Sequence, residues 1–397
     1  MNTTKALVAL TLSAAVSLHA ADWPRFRGPD QSGISKEAGL KAKALEGGAK
    51  VLWKASVGTG FSSITVANGR VYTMGNANAE DTVWCFDANT GKEIWRHSYG
   101  EELKPNLYEG GPNATPTVEG GRVYTLSKTG RALCLDAAKG TVIWNKHLAK
   151  DLGAKKPEWG FSGSVLIEGD LAIYNVGSAG TALNKRTGEV AWKSGTEAAG
   201  YSQGIACNLG GDRLVVLMAA KDVIALNPKT GAVAWRHPWK TSYDVNAADA
   251  VISGNRVFVS SGYNHGASVL EVVGKQAKVI WENKNLRNHF ASSVLLDGHL
   301  YGVDEKELRC VDYATGEVKW TDKASGKGTL IIADGKLIVL SEKGELIIAE
   351  ATPQAFKPLS RAQVLGGKCW TSPALANGKL YARNAKGDLV CVDLGGK

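Results

Sequence analysis

The chain has 397 residues, with 47 lysines and arginines against 38 acidic residues and a formal net charge of +9. The basic residues are spread along the chain and no nucleic-acid-binding motif is present, so we expect no nucleic-acid partner. After the first twenty residues no stretch is apolar and long enough to cross a bilayer, so we expect no transmembrane segment.

Residues 1–20 have the pattern of a cleavable signal peptide. Lys5 precedes the apolar run "ALVALTLSAAVSL", and "LHA" ending at Ala20 supplies a small residue for cleavage. No cysteine follows this run to accept a lipid. We therefore expect a monomeric periplasmic or secreted protein, with residues 21–50 as an N-terminal extension and residues 51–397 as one domain.

Two short motifs recur along residues 51–397. The first, "DANTGKEIW" at 87–95, returns at 136–144, 184–192, 227–235 and 312–320, with a degenerate copy, "VGKQAKVIW", ending at Trp281. The second, a tight turn followed by an apolar strand, occurs eight times, from "ANGRVY" at 67–72 to "ANGKLY" at 376–381. The spacing of ~43 residues is typical of propeller blades.

Each repeat predicts short antiparallel strands. Pairs such as Asn68-Gly69 between apolar runs are hairpin signals, and D-x-x-T-G forms a second tight turn. The tryptophan after that turn has the size to fill the wedge between neighbouring blades. We assign this structural role to Trp53, Trp95, Trp144, Trp192, Trp235, Trp281 and Trp320.

The two ends of the domain predict how the ring closes. The last repeat stops at "CVDLGGK" without a tryptophan, whereas the strand around Trp53 has a tryptophan without the preceding turn. The N-terminal strand should therefore complete the last blade. The predicted fold is an all-β, eight-bladed propeller of four-stranded antiparallel blades.

Four of the six cysteines occupy one repeat position, two residues before an aspartate. Cys85, Cys134, Cys310 and Cys391 should lie on separate blades, too far apart for disulfides, and pack as buried free thiols. Cys207 and Cys369 remain as a candidate pair.

The A-x-D-x-x-T-G-x-x-x-W pattern resembles that of the pyrroloquinoline-quinone-like (PQQ-like) repeat family over nearly all of residues 51–397. The segment "DWPRFRGPDQSG" at 22–33 also resembles the start of exported family members. One branch of this family, the quinoprotein dehydrogenases, implies PQQ and calcium at the propeller axis. Another branch, which includes the lipoprotein propeller subunit of the outer-membrane barrel-assembly machinery, implies a non-catalytic scaffold.

Propeller topology places the tight turns of all blades on one face and the long connections on the other. This long-loop face should carry the site, because function concentrates on loops held by a rigid scaffold. Its aromatic, basic and amide side chains form our candidate ligand-binding set: Tyr108, Trp159, Tyr201, Asn246, Tyr263, His265, Arg287, His289, Lys327, Trp370 and Arg383. Such a ring suits a flat anionic ligand.

Three motif types suggest chemistry other than simple binding. Asp244 and Asp249 are the clustered carboxylates of the proposed face and are the candidates for a catalytic base or a calcium ligand. "GYSQG" at 200–204 matches a hydrolase nucleophile motif but lacks its strand–turn–helix context. No zinc or EF-hand spacing is present, so no metal is assigned.

The sequence therefore favours a binding or scaffold module without a confidently assigned cofactor. Its partner is an envelope protein or an anionic small molecule or polysaccharide. The alternative is a PQQ- and calcium-dependent dehydrogenase that oxidises an alcohol or sugar.

Overall fold

The computed structural model describes residues 22–395, so the predicted signal peptide lies outside the described residues. Within that range the chain forms eight antiparallel sheets of four strands each, one of which gains a fifth, parallel strand. The prediction of an eight-bladed propeller is confirmed. None of the helices in residues 22–395 has the length and apolarity required to span a bilayer.

Two strands precede the first blade: β1 (Ile34–Ser35) and β2 (Val51–Ser56). Blade 1 contains β3 (Thr65–Ala67), β4 (Arg70–Ala77), β5 (Glu80–Asp87) and β6 (Glu93–Gly100). Blade 2 contains β7 (Thr117–Glu119), β8 (Arg122–Leu126), β9 (Arg131–Asp136) and β10 (Val142–His147), followed by the short helix α1 (Leu148–Leu152). Blade 3 contains β11 (Leu166–Glu168), β12 (Leu171–Tyr174), β13 (Thr181–Asn184) and β14 (Val190–Lys193). Blade 4 contains β15 (Ile205–Leu209), β16 (Asp212–Met218), β17 (Asp222–Leu226) and β18 (Val233–Pro238).

The remaining blades follow the same order from the innermost to the outermost strand. Blade 5 contains β19 (Val251–Ser253), β20 (Arg256–Ser261), β21 (Gly266–Val273) and β22 (Gln276–Asn283). Blade 6 contains β23 (Val294–Leu296), β24 (His299–Asp304), β25 (Glu307–Asp312) and β26 (Val318–Asp322). Blade 7 contains β27 (Thr329–Ala333), β28 (Lys336–Leu340), β29 (Glu345–Glu350) and β30 (Pro358–Gln363). Blade 8 contains β31 (Ala374–Ala376), β32 (Lys379–Arg383) and β33 (Asp388–Asp393).

Strand β2 closes the ring as the outermost strand of blade 8. It pairs antiparallel with β33, with Trp53 opposite Cys391. The pairing joins the two ends of the domain and covers the edge of β33 that blade 8 would otherwise expose. The predicted closure by the N-terminal strand is confirmed.

The D-x-x-T-G segments form the turns before the outermost strands. In blade 1 the Asp87 carboxylate accepts hydrogen bonds from the backbone amides of Asn89 and Thr90, at 3.0 and 2.8 Å. These bonds, led by that from the Thr90 amide, lower the pKa of Asp87. Gly91 has φ = 68°, and a β-carbon there would lie 2.6 Å from the Trp53 ring of the preceding blade. The glycine therefore provides both the turn and room for a tryptophan.

The repeated tryptophans lie between neighbouring blades. Six of the seven donate their indole N–H to a backbone carbonyl of the following blade: Trp53 to Ala88, Trp95 to Ala137, Trp144 to Lys185, Trp192 to Pro228, Trp281 to Tyr313 and Trp320 to Thr352. The buried indole nitrogen of Trp235 has no partner. The blade it faces carries the degenerate copy "VGKQAKVIW", in which a two-residue turn between β21 and β22 replaces the D-x-x-T-G turn.

All six cysteines are buried and free. Cys85, Cys134, Cys310 and Cys391 lie on separate blades, as predicted, and burial raises the thiol pKa of Cys85 to about 11. The candidate pair of Cys207 and Cys369 is wrong. Cys207 lies in β15 of blade 4, whereas Cys369 lies in the loop before β31 of blade 8.

The N-terminal segment, residues 22–40, fills the central channel from the short-turn face. It bridges to the innermost strand of blade 1 through Trp23 and Val66, and β1 pairs in parallel with β27 of blade 7. The Glu37 carboxylate accepts hydrogen bonds from the Asn377 and Gly378 amides in a tight turn of blade 8. Residues 22–40 therefore form a plug, which positions the floor of the site described next.

Candidate functional site

A cavity of about 460 Å³ opens on the long-loop face of the propeller. Each of the eight blades contributes at least one wall residue from the stretch at or just before its innermost strand. These are Phe61, Thr115, Ser164, Gln203, Asp249, Ser292, Thr329 and Thr371. Contributions from every blade place the cavity on the propeller axis. Its volume lies within the range of about 300–1,000 Å³ that is typical of ligand sites.

Aromatic rings surround the upper part of the cavity. We call this set the aromatic collar: Phe61, Tyr108, Trp159, Tyr201, Tyr263, His289, Phe290 and Trp370. Along one side, Phe61 lies 5.5 Å from Tyr108 and 5.8 Å from Trp370, measured between ring centroids. Phe290 lies 4.6 Å from Trp370, and His289 lies 4.5 Å from Tyr263. On the opposite side, Trp159 and Tyr201 lie 6.2 Å apart.

The plug supplies the floor of the cavity. Arg27 extends from it toward Asp249, and Arg27 Nη1 lies 3.7 Å from Asp249 Oδ2. Both side chains are almost fully buried, at 4% and 1% exposure. Burial raises the pKa of Asp249 against the opposing effect of the Arg27 guanidinium, and burial lowers the pKa of Arg27. Gln203 donates to Asp249 from its backbone amide at 3.1 Å and from Nε2 at 2.9 Å.

Lysines lie against the collar at the mouth of the cavity. Lys128 Nζ lies 4.7 Å from the Tyr108 ring centroid, and Lys368 Nζ lies 4.3 Å from that of Trp370. Lys327 Nζ lies 3.1 Å from His289 Nδ1. Burial, followed by the charge of Lys327, lowers the pKa of His289 to about 4, so its imidazole is neutral at pH 7. Lys368 also pairs with Glu109 at 2.9 Å, so the mouth combines flat apolar surfaces with charges of both signs.

The structure brings seven of the eleven candidate binding residues together at the cavity. They are Tyr108, Trp159, Tyr201, Tyr263, His289, Lys327 and Trp370. Of the two candidate catalytic carboxylates, Asp249 lines the cavity and Asp244 does not. Asp244 lies in the same long loop, with φ = 53°.

The other four candidates lie outside the cavity wall. Arg383 is fully buried and donates to the backbone carbonyls of Gly58 and Met74. Arg287 forms a two-pronged ion pair with Asp304, with bonds of 2.7 Å from Nε and Nη2.

Asn246 and His265 pack around one tryptophan. The Asn246 amide donates to the carbonyls of Ala219 and Trp239, and His265 lies edge-on to the Trp239 ring at 4.6 Å. Both residues hold the loop before β19 in place.

The cavity residues that were not in the candidate set include Phe26, Arg27, Phe61, Gln203 and Phe290. A signal existed for Phe61, because "GFSSI" at 60–64 precedes the innermost strand of blade 1 as "GYSQG" at 200–204 precedes that of blade 4. Phe26 and Arg27 reach the axis only through long-range packing of the plug.

The "GYSQG" segment is a loop leading into β15 and does not join a strand to a helix. Ser202 is buried, and its hydroxyl accepts a hydrogen bond from the Met218 amide at 3.1 Å. Its hydroxyl is therefore committed to the scaffold. Among residues 22–395 no group of three or more His, Cys, Asp or Glu side chains is arranged to hold a metal ion.

Comparison with known proteins identifies the family to which this chain belongs. The profile of a family described as "Outer membrane protein assembly factor BamB" matches residues 43–101 and 79–322. The chain belongs to this family. The match extends from the end of the N-terminal extension to the end of blade 6, and it confirms the resemblance to PQQ-like propellers.

Individual relatives agree with this assignment. The outer membrane protein assembly factor BamB of Shewanella oneidensis is 23% identical over 375 residues, covering 87% of this chain and 89% of that protein. The crystal structure of BamB from Moraxella catarrhalis superposes with a TM-score of 0.64 at 16% identity, covering 86% of this chain and 97% of that one. A quinohemoprotein alcohol dehydrogenase from Comamonas testosteroni shares the fold, with a TM-score of 0.68 at 15% identity, covering 95% of this chain and 81% of that one.

The side chains of the cavity do not fit the calcium that accompanies PQQ in the dehydrogenase branch. Calcium requires about six to eight oxygen ligands, with carboxylates prominent among them. Of the cavity-lining residues described, only Asp249 carries a carboxylate, and it is already engaged by Gln203 and faces Arg27. The guanidinium of Arg27 thus lies where a cation would need oxygen ligands.

Proposed function

We propose that the protein is an envelope binding module in outer-membrane protein assembly, and that it holds its partner on the long-loop face. Membership of the BamB family supports the process, because the family is named for that assembly. The observation that supports the face is a set of exposed apolar and aromatic side chains at the cavity mouth.

Three of these side chains are exposed on opposite sides of the mouth. Leu107 is 92% exposed in the loop between blades 1 and 2, with φ = 62°. Tyr243 and Tyr263, before and within blade 5, are 61% and 39% exposed, with ring centroids 5.1 Å apart. Exposed large apolar side chains that cluster around a concave site are typical of interaction surfaces. Aromatic residues are also the common anchors of protein interfaces.

The alternative of a PQQ- and calcium-dependent dehydrogenase rests on shared fold alone. Fold similarity at 15% identity does not carry an activity, since function is determined by the site. The Arg27–Asp249 pair occupies the carboxylate that a calcium site would need.

The test uses the host cell and two charge substitutions at the mouth. Deletion of the gene should lower the amount of folded outer-membrane barrel proteins, and the intact gene should restore it. A Leu107→Glu/Tyr243→Glu variant should fail to restore that amount, because charge opposes burial of these side chains against a partner.

The control variant is Ile94→Glu, in the outermost strand of blade 1. Ile94 is 42% exposed but lies away from the cavity mouth, so this variant should restore barrel proteins fully. Unchanged barrel-protein levels after deletion of the gene would refute the process. Equal failure of Ile94→Glu and the mouth variant, with both folded, would refute the assigned face.

A further inference from the structure

Three buried polar atoms on the cavity wall lack hydrogen-bond partners. They are Arg27 Nη1, Gln203 Oε1 and Thr371 Oγ1, on residues that are 4%, 2% and 3% exposed. Buried polar groups in folded proteins are nearly always paired, because leaving one unpaired costs free energy. All three belong to residues that line one cavity, so a ligand held there is the natural partner for these bonds.

The orientation of the two floor residues is fixed by their other contacts. Arg27 Nη2 donates to the carbonyls of Ser293 and Ser32, at 2.6 and 3.0 Å. Its Nη1 lies 3.7 Å from Asp249 Oδ2, which is too long for a hydrogen bond. Gln203 donates from Nε2 to that same oxygen, so its Oε1 is the free acceptor. A free donor, Arg27 Nη1, and a free acceptor, Gln203 Oε1, therefore lie next to Asp249.

The floor carries no net charge, because the positive Arg27 faces the negative Asp249. A carboxylate placed there would offer acceptors alone and would meet both the Asp249 carboxylate and the Gln203 carbonyl oxygen. A neutral amide would offer its carbonyl oxygen to Arg27 Nη1 and its N–H to Gln203 Oε1. The floor thus matches an amide better than the anionic ligand expected from the sequence.

Above the floor, the aromatic collar provides the complement of a flat apolar group. Neighbouring rings of the collar touch one another, with centroids 4.5–6.2 Å apart, and a further ring in the cavity that they surround would make face and edge contacts with them. A cavity of about 460 Å³ has room for an aromatic ring with a short polar arm.

We propose that the cavity binds an aromatic group carrying a neutral amide, with the amide on Arg27 and Gln203 and the ring inside the aromatic collar. An aromatic residue within a polypeptide has this chemistry, and so does a free aromatic amide. This inference deepens the proposed function and rests on it only where a polypeptide partner is the source of the ligand.

The test compares three probes on the full-length mature protein by calorimetric titration. 3-Phenylpropanamide should bind saturably. 3-Phenylpropanoate, which differs by a carboxylate in place of the amide, should bind at least about tenfold more weakly because its charge meets Asp249. Propanamide, which lacks the ring, should not bind measurably. Equal or tighter binding of the carboxylate would overturn the assignment. The absence of binding by all three probes would also overturn it, because water would then be the partner of the three unpaired atoms.

Two variants locate the site. Gln203→Met removes the free acceptor, together with the Nε2 donor to Asp249, while keeping the length of the side chain, and it should weaken the binding of 3-phenylpropanamide about tenfold. Gln363→Met is the matched control on the exposed outermost strand of blade 7, and it should leave binding unchanged. If Gln203→Met does not fold, Phe290→Ala in the half-buried collar takes its place and should weaken the amide by a similar factor. Unchanged binding in a folded cavity variant would overturn the site.

A capped tripeptide, acetyl-Ala-Phe-Ala-amide, distinguishes the two sources of this chemistry. Tighter binding than 3-phenylpropanamide would assign the cavity to a polypeptide segment, and weaker binding would assign it to a free aromatic amide. Amide binding without any effect of gene deletion on barrel proteins would retain the cavity site and refute the proposed function. A loss of barrel proteins after gene deletion, without amide binding by the protein, would refute the cavity site alone.

Discussion

The indole nitrogen of Trp192 in blade 3 lies 2.7 Å from the carbonyl oxygen of Pro228 in blade 4. This contact joins neighbouring blades at a buried position. Trp235 occupies the equivalent place one blade later. Its side chain is similarly buried, at 4% exposure against 9% for Trp192, but its indole N–H has no acceptor. The pair therefore separates the contribution of the hydrogen bond from that of the ring.

Replacement of each of these tryptophans by phenylalanine should have unequal effects. Trp192→Phe removes the bond to Pro228 and leaves a buried carbonyl without its donor, whereas Trp235→Phe removes a donor that has no partner. We expect the free energy of unfolding to fall by about 1–3 kcal/mol more for Trp192→Phe. Urea denaturation measures the difference, and equal losses would show that the indole bonds contribute nothing beyond ring packing.

The buried pair of Arg27 and Asp249 gives a second prediction. Arg27→Met leaves the Asp249 carboxylate buried without its counter-charge, so it should lower the free energy of unfolding by about 3–5 kcal/mol. Arg27→Met/Asp249→Asn removes both charges and should recover most of that loss. Thermal and urea unfolding check both variants. If the single variant is as stable as the double one, the pair has no electrostatic role.

Asp81, in β5, predicts a dependence of stability on pH. Burial raises its pKa to about 7, with Glu101 adding to the effect. Between about pH 4, the ordinary pKa of an aspartate, and about pH 7, Asp81 is protonated in the folded protein but ionised in the unfolded chain. Its contribution to stability is therefore complete at low pH and is lost as the pH rises, on the order of a few kcal/mol.

Asp81→Asn removes this titration. Urea unfolding from pH 4 to pH 8 should show a smaller decline in stability for Asp81→Asn than for the parent protein. Asp170→Asn, at an exposed side chain on the surface, serves as the control. If the free energy of unfolding of the parent protein, relative to that of Asp81→Asn, rises from pH 4 to pH 8, the assigned direction is wrong.

The closing strand gives a fourth prediction. Deletion of residues 51–57 should destabilise the whole propeller. Blade 8 loses β2, the edge of β33 becomes exposed, and the space that Trp53 fills beside blade 1 becomes empty. Trp53→Ala should lower the free energy of unfolding by about 3–5 kcal/mol through the cavity it leaves. Leu52→Ala, at a side chain 37% exposed, should cost less than about 1 kcal/mol. Denaturation of the three proteins tests this, and a truncated chain that unfolds like the parent would exclude a shared last blade.

The parts of this fold that follow local chemistry could be predicted from the sequence. Asp87, Thr90 and Gly91 determine a turn by contacts within five residues. The eight copies of the other tight turn, the one before an apolar strand, give the blade count, and the missing last tryptophan indicates the incomplete last blade. The cavity follows no such repeat. Arg383 looked like a free cation, but it is fully buried with backbone acceptors supplied by blade 1. Such partners come from distant parts of the chain, which local patterns do not encode.

The same reason hides the floor of the cavity. Nothing around Arg27 in the sequence indicates that its guanidinium meets Asp249, because the contact joins residues 222 positions apart through the plug. Aromatic side chains were easier to predict because they stand in long connections, and propeller topology gathers those connections on one face.

Closure by β2 has a consequence for the order in which the molecule can assemble. The ribosome makes β2 before every strand of blades 1–7 except β1, whereas its pairing partner β33 is the last of the strands described above to emerge. Pairing between such distant segments is slow, because a long loop must close before the contacts stabilise it. Blades 1–7 can form in sequence while β2 stays unpaired and blade 1 exposes the face that will pack on blade 8. The circle is therefore completed only after β33 has been made, and until then β2 is an unpaired strand that can pair with other chains.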